Sequence, residues 1–322
     1  MLVSELLTIC AALAAPAFFL FFGLAALGSP LLAVICLIAG QMRGTQHPEA
    51  YARRLLHMAL LCALPMCLLL FAASGLILYR VPWLLDWLWA AQLPWALLAL
   101  ALLAYCVSLV VWRSSRSTRR ARTDSPLAQA LSLAALAMAV LWLMLSLLRD
   151  LTAQVQAVLS ATPEGGLAVV PLLKPDLLST TPLLWAAVLA AALACAMCAG
   201  AWSLEYLMLR RDREPFGREA FAHAMRLASR SSLRAGLLSL SFLPVLWDQL
   251  TNLPRTPADA QTVKVLLLGC GAGIFLACIA WLLLARSSRP RSRPMLVHGS
   301  LALVWLSLTL ALSAALLRFY AG

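Results

Sequence analysis

Five arginines fall within ten residues from Arg113 to Arg122, in the stretch WRSSRSTRRARTDS, and a long apolar run flanks that stretch on each side. An arginine at the centre of a transmembrane helix costs roughly 2.5–3.5 kcal/mol even on insertion scales. The stretch therefore cannot cross a bilayer, and the positive-inside tendency assigns it to the cytoplasmic face. Every other apolar run can be counted outward from this anchor.

A crossing needs about 20 predominantly apolar residues. Eight runs meet or approach that length: Leu6–Ile38, Leu55–Leu78, Ala91–Trp112, Leu127–Leu148, Leu183–Leu209, Leu237–Leu250, Val263–Ala285 and Leu296–Leu317. The first is longer than one straight crossing, and Pro16, Gly28 and Pro30 are positions where it can kink. The sixth is short, and its helix is expected to begin inside the basic segment Arg210–Arg234. The segment Arg149–Thr181 holds Pro163, Gly165, Gly166, Pro171 and Pro175 and reads as an irregular exterior loop. The chain is thus expected to be an all-α integral membrane protein with eight transmembrane helices.

Charge placement fixes the expected orientation. Four hinges, Gln41–Arg54, Arg113–Arg122, Arg210–Arg234 and Arg286–Pro294, carry 19 of the 25 basic residues. The other six, Arg80, Arg149, Lys174, Arg255, Lys264 and Arg318, fall near the opposite span ends. Both termini are then outside, periplasmic for a bacterial inner (cytoplasmic) membrane. Glu5 stands where a cleavable signal would carry its positive region, so the first run is expected to be a retained span. Charged residues are 12% and hydrophobic residues 63% of 322 positions, against about a quarter charged in a soluble domain. The net charge of +12 is accordingly a topology signal and not a nucleic-acid footprint.

Two short matches sit at near-equal offsets. Glu49-Ala-Tyr51-Ala pairs with Glu219-Ala-Phe221-Ala, and Arg113-Ser-Ser-Arg116 with Arg286-Ser-Ser-Arg289. They suggest a parallel four-plus-four repeat, with units 1–149 and 182–322 joined by an exterior loop, 150–181.

Candidate chemistry is sparse. There is no Gly-rich phosphate loop, no nucleophile motif and no metal-ligand run. Cys195 and Cys198 share a helix face, but Ala199 follows them, which excludes c-type haem attachment. A pair inside an apolar run is ordinarily packing. His57, His223 and His298 stand near cytoplasmic span ends and are the candidate ligands of a b-type haem. Asp86, among Trp83, Trp87 and Trp89, with Gln92 and Asp248, lies near the outer face. A carboxylate and an amide beside aromatic walls supply what a quinone needs, a proton acceptor and hydrogen-bond partners. Glu205, near the inner end of the fifth run, is a further ionisable group at membrane depth. The apolar span centres offer no arginine or lysine, which argues against a voltage sensor or an anion pathway.

The stretches Gln92-Leu-Pro94-Trp95 through Leu103-Ala-Tyr105, Pro175-Asp-Leu-Leu through Pro182-Leu-Leu, and Arg53-Arg54-Leu55 with Pro65 beyond resemble an eight-span family. Those proteins are cytochrome b-like, quinone-reactive membrane subunits that accompany multihaem c-type cytochromes in anaerobic respiratory bacteria. The span count and orientation are also similar to the membrane subunits of dimethyl sulfoxide and polysulfide reductases. The resemblance implies quinone and haem b as cofactors. It also implies cytochrome c or iron–sulfur protein subunits as partners in the lipid bilayer, with enzyme activity only as part of a complex. Histidines of the cytochrome-like family in the first and fifth spans have no counterpart here; Phe18, Phe19 and Trp185 stand in those neighbourhoods. An anchor or quinone-pocket role is what this departure leaves. The rival expectations are a small-solute transporter and a non-catalytic membrane scaffold.

Overall fold

The computed structural model describes residues 3–43, 47–80, 89, 92–114, 125–160, 182–210, 218–244 and 257–320. Within them the chain forms eight long helices: α1 (Val3–Arg43), α2 (His47–Arg80), α3 (Gln92–Ser114), α4 (Pro126–Ser160), α5 (Pro182–Leu209), α6 (Arg218–Ser241), α7 (Pro257–Arg286) and α8 (Pro294–Tyr320). A 3₁₀ turn, Pro290–Ser292, joins the last two. Among the described residues, six of these helices (α1, α3, α4, α5, α7 and α8) are long and apolar enough to cross a membrane. The protein is an α-helical membrane protein.

α1 is the centre of the molecule and packs against α2, α4, α5 and α8. Its 41 residues span about 60 Å at 1.5 Å per residue, twice the hydrocarbon thickness. It stays one helix although Pro16 and Pro30 lie inside it. Pro30 has no N–H to give the carbonyl four residues back, that of Ala26. The Tyr105 hydroxyl of α3 donates to that carbonyl instead, at 2.6 Å. In lipid, where water cannot serve an orphan carbonyl, such a replacement donor lets a proline remain inside a span.

Small residues let the helices approach. A Cβ on Gly28 of α1 would lie 2.0 Å from the Cys195 carbonyl oxygen of α5, so the two backbones touch there. Gly200 of α5 faces Ser232 of α6, and Gly273 of α7 faces Ser307 of α8. Helix association in a bilayer lacks the hydrophobic drive of water and relies on this close packing.

Helices α1 to α4 contact one another in a ring, α1 with α2, α2 with α3, α3 with α4 and α4 with α1. Helices α5 to α8 repeat the ring in the same order. Three basic hinges share one end of the bundle: Tyr51 at the start of α2 meets Ser203 near the end of α5, His298 at the start of α8 meets Glu205, and Arg291 lies over Phe221 at the start of α6. At the other end, Cys10 of α1 meets Ser313 of α8.

One expectation needs correction. The segment after Leu148 is not irregular from Arg149 onward, because α4 continues to Ser160. No proline or glycine interrupts it before Pro163, and the Arg149–Asp150 ion pair at 2.8 Å lies within it. The sixth helix begins at Arg218, inside the basic segment, as expected. Arg230 and Arg234 are exposed, while Ser232 packs on Gly200 of α5 and Gly236 on Cys278 of α7, so averaged hydropathy hides a packed helix. The remainder of the sixth run, 245–250, most of the organising arginine stretch, 115–124, and the segment 161–181 lie outside the described residues.

Candidate functional site

At the hinge end Tyr51 is buried and its hydroxyl lies 2.7 Å from Ser203 Oγ. Ser203 donates to the Gly200 carbonyl at 2.7 Å, so its oxygen accepts the Tyr51 proton. Arg54 follows less than one turn after Tyr51, just before the second apolar run. Burial, joined by the like charge of Arg210, pulls the Arg54 guanidinium down to about 10. It therefore remains a cation at neutral pH. Tyr51, Arg54, Leu55, Met58, Ser203 and Tyr206 line a narrow cleft. The Arg210 guanidinium lies 5.1 Å from the centroid of the Tyr206 ring, within range of a cation–π attraction.

Tyr206 is also a wall of a second space. A cavity of about 170 Å³ lies against it, bounded by Phe19, Phe22, Leu61, Cys62, Met66 and Trp202. Phe22 stands edge-on to Trp202 with centroids 4.8 Å apart. Gly23 leaves room for Met66, whose Cε would lie 2.8 Å from a Cβ at that position. Phe19 and Leu61 are 39% and 44% exposed, so the cavity is reached from the lipid-facing side. Tyr206 thus stands between an apolar cavity with aromatic walls and a tight, polar cluster that holds Arg54. An amphiphile with a flat apolar body and a carbonyl or anionic head matches that arrangement.

The candidates read from sequence are dispersed. Asp86 and Asp248, with Trp83 and Trp87, lie outside the described residues. Gln92 is exposed at the first position of α3. His57 and His223 are half-buried on α2 and α6. His298 is largely exposed, and its Nδ1 lies 2.8 Å from the Glu205 carboxylate, itself only 9% exposed. Among the described residues no three histidine, cysteine or carboxylate side chains converge as a metal-ligand group. Neither the cleft nor the cavity is lined by a histidine, so neither offers a haem pocket. Cys195 and Cys198 are fully buried. Trp185, which stands where the cytochrome-like family has a histidine, packs against Trp142 with centroids 4.6 Å apart.

Tyr51 entered the sequence reading only through a repeat match, and Tyr206 did not enter it at all. One signal was present: each lies within a few residues of an arginine at a hinge, and a tyrosine beside an arginine at a span end is a ready polar rim.

No protein-family model matches the chain, and no characterised protein matches it by sequence. Among solved structures, a chain in the structure of bd oxidase from Geobacillus thermodenitrificans is similar in fold, with a TM-score of 0.55 and 13% identity over 98% of this chain and 87% of that one.

Proposed function

We propose that the chain is an integral membrane subunit of a respiratory electron-transfer complex in a bacterial inner membrane, and that it binds quinone in the cavity at Tyr206. The observation that carries this reading is the apolar cavity walled by Phe22, Trp202 and Tyr206, with Arg54 on the other side of Tyr206 and Arg210 over its ring. A fold shared with a chain of an oxidase is in keeping with it. The quinone ring would lie among the aromatic side chains, and its carbonyls would accept from Tyr206 or Arg54. Redox centres would reside on cytochrome c or iron–sulfur partner subunits.

Asp86, Gln92 and Asp248 remain a separate proposal, a proton-handling group at the outer end, tested by Asp86→Asn in a quinone-turnover assay. Haem b is proposed only for His298. Its contact with Glu205 is the carboxylate–histidine pairing that orients a ligating imidazole, and a visible spectrum tests it. We further propose the division into two four-helix units, α1–α4 and α5–α8, with the first extended beyond residue 149 to the end of α4 at Ser160, and with both termini outside. The two rings of helix contacts support the division.

The test is purification from the native membrane in mild detergent, followed by quinone extraction and identification of bound subunits. The expected result is about one quinone per chain with redox subunits attached, and loss of that quinone in a Leu61→Trp variant that fills the cavity. A lone, colourless protein without quinone that moves a solute in vesicles would reject the proposal in favour of a transporter.

A further inference from the structure

α6 carries Arg226, Arg230 and Arg234 at four-residue spacing. Three guanidiniums therefore project from one helix face in steps of about 6 Å. Glu219 and His223 continue that face toward the hinge. Leu237 and Leu238, 50% and 54% exposed, continue it toward the middle of the bundle.

The opposite face fixes the depth. Ser232 packs on Gly200 of α5, and Gly236 on Cys278 and Trp281 of α7. Gly200 precedes the end of α5 at Leu209 by nine residues, and Cys278 precedes the end of α7 at Arg286 by eight. At 1.5 Å per residue Ser232 lies about 13 Å inside the end of α5 and Gly236 about 12 Å inside the end of α7, so Arg234, between them on α6, lies about 9–16 Å inside those ends and Arg230 about 6 Å nearer the hinges. Arg230 and Arg234 are exposed, and Arg226 is half-buried. Arg226 Nε is buried without a hydrogen-bond partner, and among the described residues no carboxylate pairs with any of the three.

A guanidinium cannot face hydrocarbon alone at that depth. Long arginine stems let the charged ends rise toward the interface while the chains lie along apolar surface. We propose that the face formed by Arg226, Arg230 and Arg234 binds an anionic phospholipid of the hinge-side leaflet. The phosphate takes charge-assisted bonds from the guanidiniums, and the acyl chains run down over Leu237 and Leu238. Cations above leucines on one helix face repeat the order of headgroup above acyl chain. A free anion would have no use for the leucines. A protein partner would have to bring carboxylates to membrane depth, whereas the bilayer supplies phosphate there already.

The experiment uses the full chain in nanodiscs of equal phosphatidylglycerol and phosphatidylcholine, with retained lipid counted by native mass spectrometry. The wild type should retain phosphatidylglycerol preferentially. Each Arg→Gln change at 226, 230 or 234 should lower that preference about fivefold, and the corresponding Arg→Lys change should restore part of it. Unchanged preference in the triple Gln variant would overturn the proposal. So would full displacement of the lipid by glycerol phosphate lacking acyl chains, which would mark a free-anion site. If the triple variant fails to fold, a photo-crosslinking residue in place of Leu237 in the otherwise wild-type chain decides the matter. A lipid adduct supports the proposal, and a cross-linked polypeptide overturns it.

Discussion

The hydroxyl of Tyr105 in α3 donates to the carbonyl of Ala26 in α1 at 2.6 Å, across 79 residues of sequence. That carbonyl is the one Pro30 leaves without a helical donor. Tyr105→Phe should keep the ring in place and strand the carbonyl in a buried, water-free site. The expected cost is about 1–3 kcal/mol, read as a lower melting temperature in detergent. Adding Pro30→Ala restores the helical donor and should recover most of the loss. If the double variant melts no higher than Tyr105→Phe alone, the hydroxyl does not serve that carbonyl.

Tyr51 and Ser203 predict an asymmetry. In Tyr51→Phe the Ser203 hydroxyl keeps its bond to the Gly200 carbonyl, so the loss should be about 1 kcal/mol. In Ser203→Ala the buried Tyr51 hydroxyl has no acceptor, and the loss should be about 1–3 kcal/mol. Thermal unfolding of the two purified variants compares them directly, and equal melting points would contradict the assigned donor.

Glu205 is buried and His298 is not, so removing either has different consequences. His298→Ala leaves a carboxylate in a largely water-free place and should lower the melting temperature by several degrees. Glu205→Gln keeps a polar partner for the imidazole and should be milder. Ranking the two by unfolding fluorescence tests the pair, and a more damaging Glu205→Gln would reverse it.

Gly28 permits the α1–α5 contact, and its replacement by alanine would push a methyl group into the Cys195 carbonyl. Backbone cannot rotate away as a side chain can. Gly28→Ala should therefore cut the yield of monodisperse protein severely. Gly200→Ala, which meets the movable hydroxyl of Ser232, should be milder. Gly299→Ala meets nothing within 4 Å and should be neutral. Size-exclusion profiles of the three variants check the order.

Reporter fusions within the four basic hinges should all report the cytoplasmic side, and fusions at the two termini the periplasmic side. Hinges reporting opposite sides would dismantle the proposed orientation.

The apolar runs, their approximate number and the hinges between them were legible because guanidinium and hydrocarbon do not mix. That property can be read from one stretch of chain without knowing its neighbours. The same reading placed Glu205 at the inner end of its helix and His298 at the start of another, but could not pair them. It expected the start of α6 inside the basic segment but drew the apolar run only from Leu237, because averaging along the chain adds the arginines of that helix to its buried alanines and serines.

What tertiary structure alone decided is who meets whom. Tyr105 with Ala26, Tyr51 with Ser203, and Glu205 with His298 are separated by 79, 152 and 93 residues. Their meeting depends on which helix faces touch, and in a bilayer that is set by the fit of small residues such as Gly28 and Gly200. Periodicity says that a helix has faces. It does not say which neighbour each face will find, so the cavity at Tyr206 and the arginine face of α6 appear only once the eight helices are packed.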